Sequence, residues 1–204
     1  MAAGGDDDVK ILGVWLSPFV MRPRIALNVK KVRYDNPVHK KVPVMIHNDK
    51  PISESLVILQ YIDEAFTSSG PSILPSDSYD RAIVRFWAAY LDNKLKKASI
   101  EAVVEGLGLL ESVSQEMSKG KGFFGGDTIG FLYIVLGSYL GWLRVSEKDN
   151  ECKFLDEDKT PGLYGWAVRF CADAAVKKVM LRTKKLAEYA FTLKSMIHGQ
   201  SSVT

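Results

Sequence analysis

Lys10-Ile11-Leu12-Gly13-Val14-Trp15-Leu16-Ser17-Pro18-Phe19 is the stretch on which the fold turns. It opens short and apolar and runs into Ser17-Pro18, the pattern of a buried strand followed by a turn. Ser17 can act as a helix N-cap, and Pro18 suits the first helical position. The helix then runs through Arg22, Ile25, Ala26 and Val29. Working outward, Val32-Arg33-Tyr34 reads as a second strand and Val42 to His47 as a third. Asn48-Asp49-Lys50 carries turn chemistry, so a hairpin leads to a short fourth strand near Ile52. Glu54-Ser55 opens a helix with Leu56, Leu59 and Ile62 at helical spacing. The order is βαβ, then ββα.

Thr67 to Pro75 reads as a linker, rich in Ser, Gly and Pro. Everything after Asp77 reads helical: Arg81–Lys97, Ile100–Met117, Phe131–Leu143, Leu163–Val176 and Thr183–Met196 place apolar residues three and four apart. The 204 residues are 47% hydrophobic and 25% charged, enough to build a core and unlike a disordered chain. A net charge of +3 with basic residues spread along the chain argues against nucleic acid as a partner. Cys152 and Cys171 have no metal-type spacing, so no metal is expected. They read as two reduced thiols, with one disulfide as the alternative. Met1 to Asp8 lacks signal-peptide character, and the apolar stretch at Ile129–Leu143 is too short and too Gly-rich to span a bilayer. A cytoplasmic protein without membrane contact is expected.

Certain marks are specific in combination. They are Trp15-Leu16-Ser17-Pro18-Phe19, Asn36-Pro37-Val38-His39-Lys40-Lys41-Val42-Pro43-Val44, Glu54-Ser55-Leu56, Gln60-Tyr61-Ile62-Asp63-Glu64, Phe86-Trp87-Ala88-Ala89-Tyr90 and Gly122-Phe123-Phe124-Gly125-Gly126-Asp127. Together they resemble the cytosolic glutathione transferases, and the plant tau class in particular. The resemblance implies an α/β thioredoxin-like N-terminal domain (9–66), a linker (67–78) and an all-α helical C-terminal domain (79–200). It also implies a homodimer, with glutathione as co-substrate and no other cofactor. The implied activity is conjugation of glutathione to small hydrophobic electrophiles.

Glutathione's thiol, like free cysteine, has a pKa of ~8.5, so little of it is thiolate at neutral pH. A hydroxyl at a helix N-terminus can lower that value by donating to the sulfur anion within the positive field of the helix end. Ser17 has the right place for this, and from the residues alone it could equally be a plain cap; the resemblance assigns it the catalytic role. Glu54 and Ser55 open a helix directly after a strand, as an ordinary capping pair would. The resemblance gives them the γ-glutamyl end of glutathione. It also implies that Val42 pairs with the cysteinyl backbone beside a cis Pro43, and that Lys41 meets the glycyl carboxylate. Lys41 could otherwise be a solvated charge. Arg22 and Asp92 match positions that support Glu54 and Ser55, or form a surface ion pair. Phe19 and Trp166 match walls of the electrophile pocket, while aromatics at helical spacing also build plain core.

The chain departs from the pattern in four places. Only seven residues separate Tyr34 from Val42, too few for the helical crossover that parallel strands need. Asp92-Asn93-Lys94-Leu95 leads almost at once into the next helix, where the family has a longer one. Pro23 inside the first helix is expected to kink it at a cost of ~3 kcal/mol. Tyr133 stands where the family places an acidic residue at the start of the buried helix, and a lost cap costs about 1 kcal/mol. Three functions fit the fold: a transferase, a dimeric carrier of hydrophobic ligands with weakened catalysis, and a thiol–disulfide enzyme. The last needs cysteine where Ser17 stands.

Overall fold

A computed structural model describes residues 8–37, 43–96, 99–118 and 128–200. The N-terminal part contains β1 (Val9–Leu12), α1 (Pro18–Val29), β2 (Val44–His47), β3 (Lys50–Ser53) and α2 (Ser55–Ala65). β1 pairs antiparallel with β2, Val9 opposite His47, and β2 antiparallel with β3, His47 opposite Lys50. Val9, Ile11 and Met45 point into the core, because alternate residues of a strand share a face. Asn48 and Asp49 both have positive φ, the two-residue turn that suits a right-twisted hairpin. α1 and α2 pack together on the sheet with Ile25, Leu27, Ile58 and Ile62 fully buried.

The expected second strand at Val32–Tyr34 is reduced to a single parallel bridge between Lys10 and Asp35. Asp35 N–H donates to the Val9 carbonyl (2.9 Å), and Ile11 N–H donates to the Asp35 carbonyl (2.8 Å). The next rung needs an N–H from residue 37, which is proline and has none. Only Gly13 N–H to the Pro37 carbonyl (3.2 Å) carries on the pairing. Residues 38–42 lie outside the described residues. So do the Gly122–Asp127 motif and the expected start of the third strand at Val42.

The C-terminal part is helical: α3 (Ser78–Lys96), α4 (Ile100–Ser118), α5 (Phe131–Gly137), α6 (Leu140–Asp149), α7 (Pro161–Ala172), α8 (Ala174–Lys177) and α9 (Thr183–Gln200). Two expected helices are each broken in two. Phe131–Leu143 divides at Ser138, whose hydroxyl bonds back to the Val135 carbonyl (2.7 Å), a habit of serine that bends helices. Leu163–Val176 divides at Asp173, which caps α8 through Ala175 N–H (2.7 Å). Pro23 does not break α1, which runs unbroken across it.

α5 is buried along its whole length and has no side-chain cap, as expected from Tyr133. Two contacts offset that loss. Phe131 N–H donates to the Ile73 carbonyl (2.7 Å), and Tyr133 stacks on Trp166 with ring centres 4.8 Å apart. The segment between α2 and α3 is tied down by Asp63. Its carboxylate accepts from Ile73 N–H, Leu74 N–H and Ser72 Oγ, each at 2.9 Å, and pairs with buried Lys30 at 2.7 Å. Among the described residues, no helix is long and apolar enough to cross a membrane.

Candidate active site

The turn after β1 delivers Ser17 to the N-cap of α1, with Pro18 at the first helical position. Ser17 N–H donates to the Val14 carbonyl (3.1 Å), and the Ser17 carbonyl accepts from Val20 and Met21. Its hydroxyl makes no cap hydrogen bond. The cap alternative therefore fails: the side chain is 9% exposed, sits at a helix N-terminus, and has no described partner. Side chains of the helical part reach this turn, among them Trp142 and Tyr189. Trp142 Nε1–H donates to the Leu16 carbonyl (2.9 Å), and Tyr189 meets Trp15 edge-on at 6.1 Å.

The second part of the site is where β3 meets α2. Glu54, exposed, takes φ 71° and ψ 113° at the N-cap. A non-glycine residue there stores about 1–3 kcal/mol of strain, and such strain collects at functional sites. Ser55 follows, buried, at the first turn of the helix. Its Oγ accepts from Arg22 Nη1 (3.0 Å). The same Nη1 donates to Asp92 Oδ2 (2.9 Å), Nη2 pairs with Asp92 Oδ1, and Nε donates to Ser138 Oγ (3.2 Å). Tyr139 OH completes the group by donating to Asp92 Oδ1 (3.1 Å). Arg22 is fully buried, its guanidinium lying against the rings of Phe19 (4.8 Å) and Tyr139 (5.2 Å), which meet each other edge-on at 5.9 Å. A buried cation needs this saturation of its donors. Burial pushes the Tyr139 hydroxyl far above its usual pKa and Asp92 adds to the shift, with Arg22 acting against them, so it stays a donor.

Arg22 and Asp92 are thus a buried pair beneath Ser55, and the surface ion-pair alternative is excluded. A cavity of about 820 Å³ opens above them, lined among others by Phe19, Pro43, Val44, Glu54, Ser55 and Asp92. Ser17 is not among its lining residues; it stands two positions before Phe19. Lys41 and Val42 fall in the stretch outside the described residues. Trp166 is not brought to the site. At 1% exposure it lies in the core between Tyr133 and Phe170, where a stripe at helical spacing serves packing. Sequence reasoning missed Ser138, Tyr139 and Trp142. A second cavity of about 220 Å³ is lined by Leu95, Ile100, Val103, Tyr139, Trp142 and Phe154 among others. Its walls Tyr139 and Trp142 touch the Asp92 group and the Ser17 turn respectively. A signal was available: Ser138, Tyr139 and Trp142, like Tyr133, carry polar atoms in an apolar run. Among the described residues, no cluster of His, Cys, Asp and Glu could hold a metal, and Cys152 and Cys171 are free thiols.

The family model for the glutathione S-transferase N-terminal domain matches residues 34–64. Glutathione S-transferase U17 of Arabidopsis thaliana is 53% identical over 214 residues, covering 90% of this chain and 94% of that protein. The alignment is longer than this chain's 204 residues, so stretches of that relative have no counterpart here. The crystal structure of the tau-class glutathione S-transferase from mango, Mangifera indica, superposes with a TM-score of 0.84 at 53% identity, covering 91% of this chain and 98% of that one. Rice GST1, solved in complex with glutathione, gives a TM-score of 0.79 at 29% identity, covering 92% of this chain and 98% of that one. A thioredoxin-like domain with Ser17 free at its first helix, a helical domain supplying Asp92, and identities above one half over most of the chain lead to one conclusion: the chain belongs to the tau class of plant glutathione S-transferases.

Proposed function

We propose that the protein conjugates glutathione to apolar electrophiles, with Ser17 Oγ–H donating to the glutathione thiolate. The observation that carries this is a serine hydroxyl at a helix N-terminus that is not used to cap its own helix. Lowering the thiol pKa by about two is worth ~2.7 kcal/mol and makes most of it thiolate at neutral pH. The proton leaves to solvent, the sulfur lone pair forms the bond to the electrophilic carbon, and the leaving group departs with its electron pair. Ser55 accepts from Arg22, which leaves its own hydroxyl proton to meet the γ-glutamyl carboxylate, while Glu54 takes the α-ammonium. Lys41, Val42 and Pro43 are assigned to the glycyl and cysteinyl parts by family pattern. Phe19 and the Trp142 cavity take the electrophile, in place of Trp166. Glutathione is a co-substrate, and the chemistry calls for no other cofactor. The working form is a cytoplasmic homodimer, each α/β domain against the partner's helical domain. Phe86 (58% exposed) and half-exposed Val57 on α3 and α2 supply apolar surface for it.

The test is turnover. The purified chain with glutathione and 1-chloro-2,4-dinitrobenzene should release chloride and form the thioether well above the uncatalysed rate. Glutathione binding by calorimetry without turnover would contradict the proposal and make the protein a ligand carrier; nothing in the described site favours that reading.

A further inference from the structure

We infer that Trp142, from the helical domain, is a positioning residue for Ser17. Leu16 C=O and Ser17 N–H belong to one planar peptide unit. The Trp142 indole N–H holds the oxygen end at 2.9 Å, and the Val14 carbonyl holds the nitrogen end at 3.1 Å. On the other side of Ser17, its own carbonyl accepts from Val20 and Met21 at the start of α1. The peptides before and after Ser17 are therefore both fixed. Its φ of −75° and ψ of 123° follow, and the hydroxyl keeps χ1 as its one heavy-atom rotation. The donor comes from α6, 126 positions along the chain, so the helical domain sets the aim of a hydroxyl that belongs to the other domain. Remove that donor and the Leu16 carbonyl turns to water, the 16–17 peptide swings, and Ser17 Oγ spreads over more directions than the thiolate can use. Tyr189 and the Lys185 ammonium, 4.6 Å over the Trp15 ring, brace the same turn from α9.

The inference rests on the proposed role of Ser17, so the experiment separates the two. The thiolate of bound glutathione is titrated by its ultraviolet absorbance, with no electrophile present, because Trp142 also lines the apolar cavity. Ser17→Ala should lose the thiolate at neutral pH. Trp142→Phe keeps a ring but lacks the donor. It should raise the thiol pKa by about 0.5–1 and lower kcat/KM about three- to tenfold, with calorimetric affinity for protonated glutathione, measured at about pH 5, unchanged. Trp142→Phe titrating like wild type, while Ser17→Ala does not, overturns the inference and leaves the function standing. Ser17→Ala titrating like wild type overturns both. Should Trp142→Phe not fold, hydrogen exchange of the Trp142 indole in the wild-type chain decides. Protection is expected, and exchange at the rate of a free indole refutes the bond.

Discussion

Arg22 has the most interactions of any side chain in the site, holding Asp92, Ser55 and Ser138 at once. Removing one partner of a buried pair leaves the other charge without compensation, at about 3–5 kcal/mol. Arg22→Met should therefore lower the unfolding midpoint steeply, measured by urea titration. Tyr139→Phe removes a single donor to Asp92 and should cost about 1 kcal/mol. Equal losses in the two variants would mean that the Arg22–Asp92 pair is not the keystone. At this scale the sequence was legible where a residue's role follows from its own neighbours. Ser17, Glu54 and Ser55 each stand at a strand-to-helix junction, which local pattern reveals. Trp142 and Tyr139 act through space on residues far away in the chain, and no spacing rule connects them to Ser17 or Asp92. Trp166 stayed open between pocket wall and core because helical periodicity marks an inward face without saying whether it meets solvent, ligand or core.

Among elements, the junction held by Asp63 decides acid stability. Burial pushes its carboxyl up, but Lys30, the Ile73 and Leu74 N–H groups and Ser72 together hold it below the usual carboxylate value. A lowered folded-state pKa means the stabilisation is fully present above the unfolded value of about 4 and is lost as pH falls through the folded one. Asp63→Asn should flatten the acid limb of the stability profile, followed by circular dichroism between about pH 5 and 2. An unchanged limb would exclude Asp63 as its source. The contact of α5 with α7 is equally specific: a Cβ on Gly137 would lie 2.2 Å from the Phe170 ring. Gly137→Ala should destabilise by about 1–3 kcal/mol through overpacking, seen as a lower thermal midpoint. The helices were readable from periodicity, but their breaks at Ser138 and Asp173 were not. Both depend on one side chain bonding to nearby backbone. The second strand failed for the same kind of reason, one missing N–H at Pro37.

For the whole molecule, the two shortened stretches matter most. Only seven residues separate Tyr34 from Val42, and they join a bridge parallel to β1 to a β2 that runs antiparallel to it, not two parallel strands as expected; α4 begins at Ile100, only four residues after α3 ends at Lys96. Glutathione should bind more weakly here than in a full-length tau relative, and grafting the relative's crossover should tighten binding, with each tenfold worth about 1.4 kcal/mol. Calorimetry on the graft gives the answer, and an unchanged Kd would mean the stretch is dispensable. Sedimentation at micromolar concentration should find a dimer. The measurement that bears most directly on the proposed chemistry is conjugation of 1-chloro-2,4-dinitrobenzene by Ser17→Ala beside wild type. Loss of one charge-assisted hydrogen bond predicts a kcat about ten- to a hundredfold lower, with folding retained and glutathione still bound. A wild-type rate in the folded variant would mean that Ser17 does not face the glutathione sulfur.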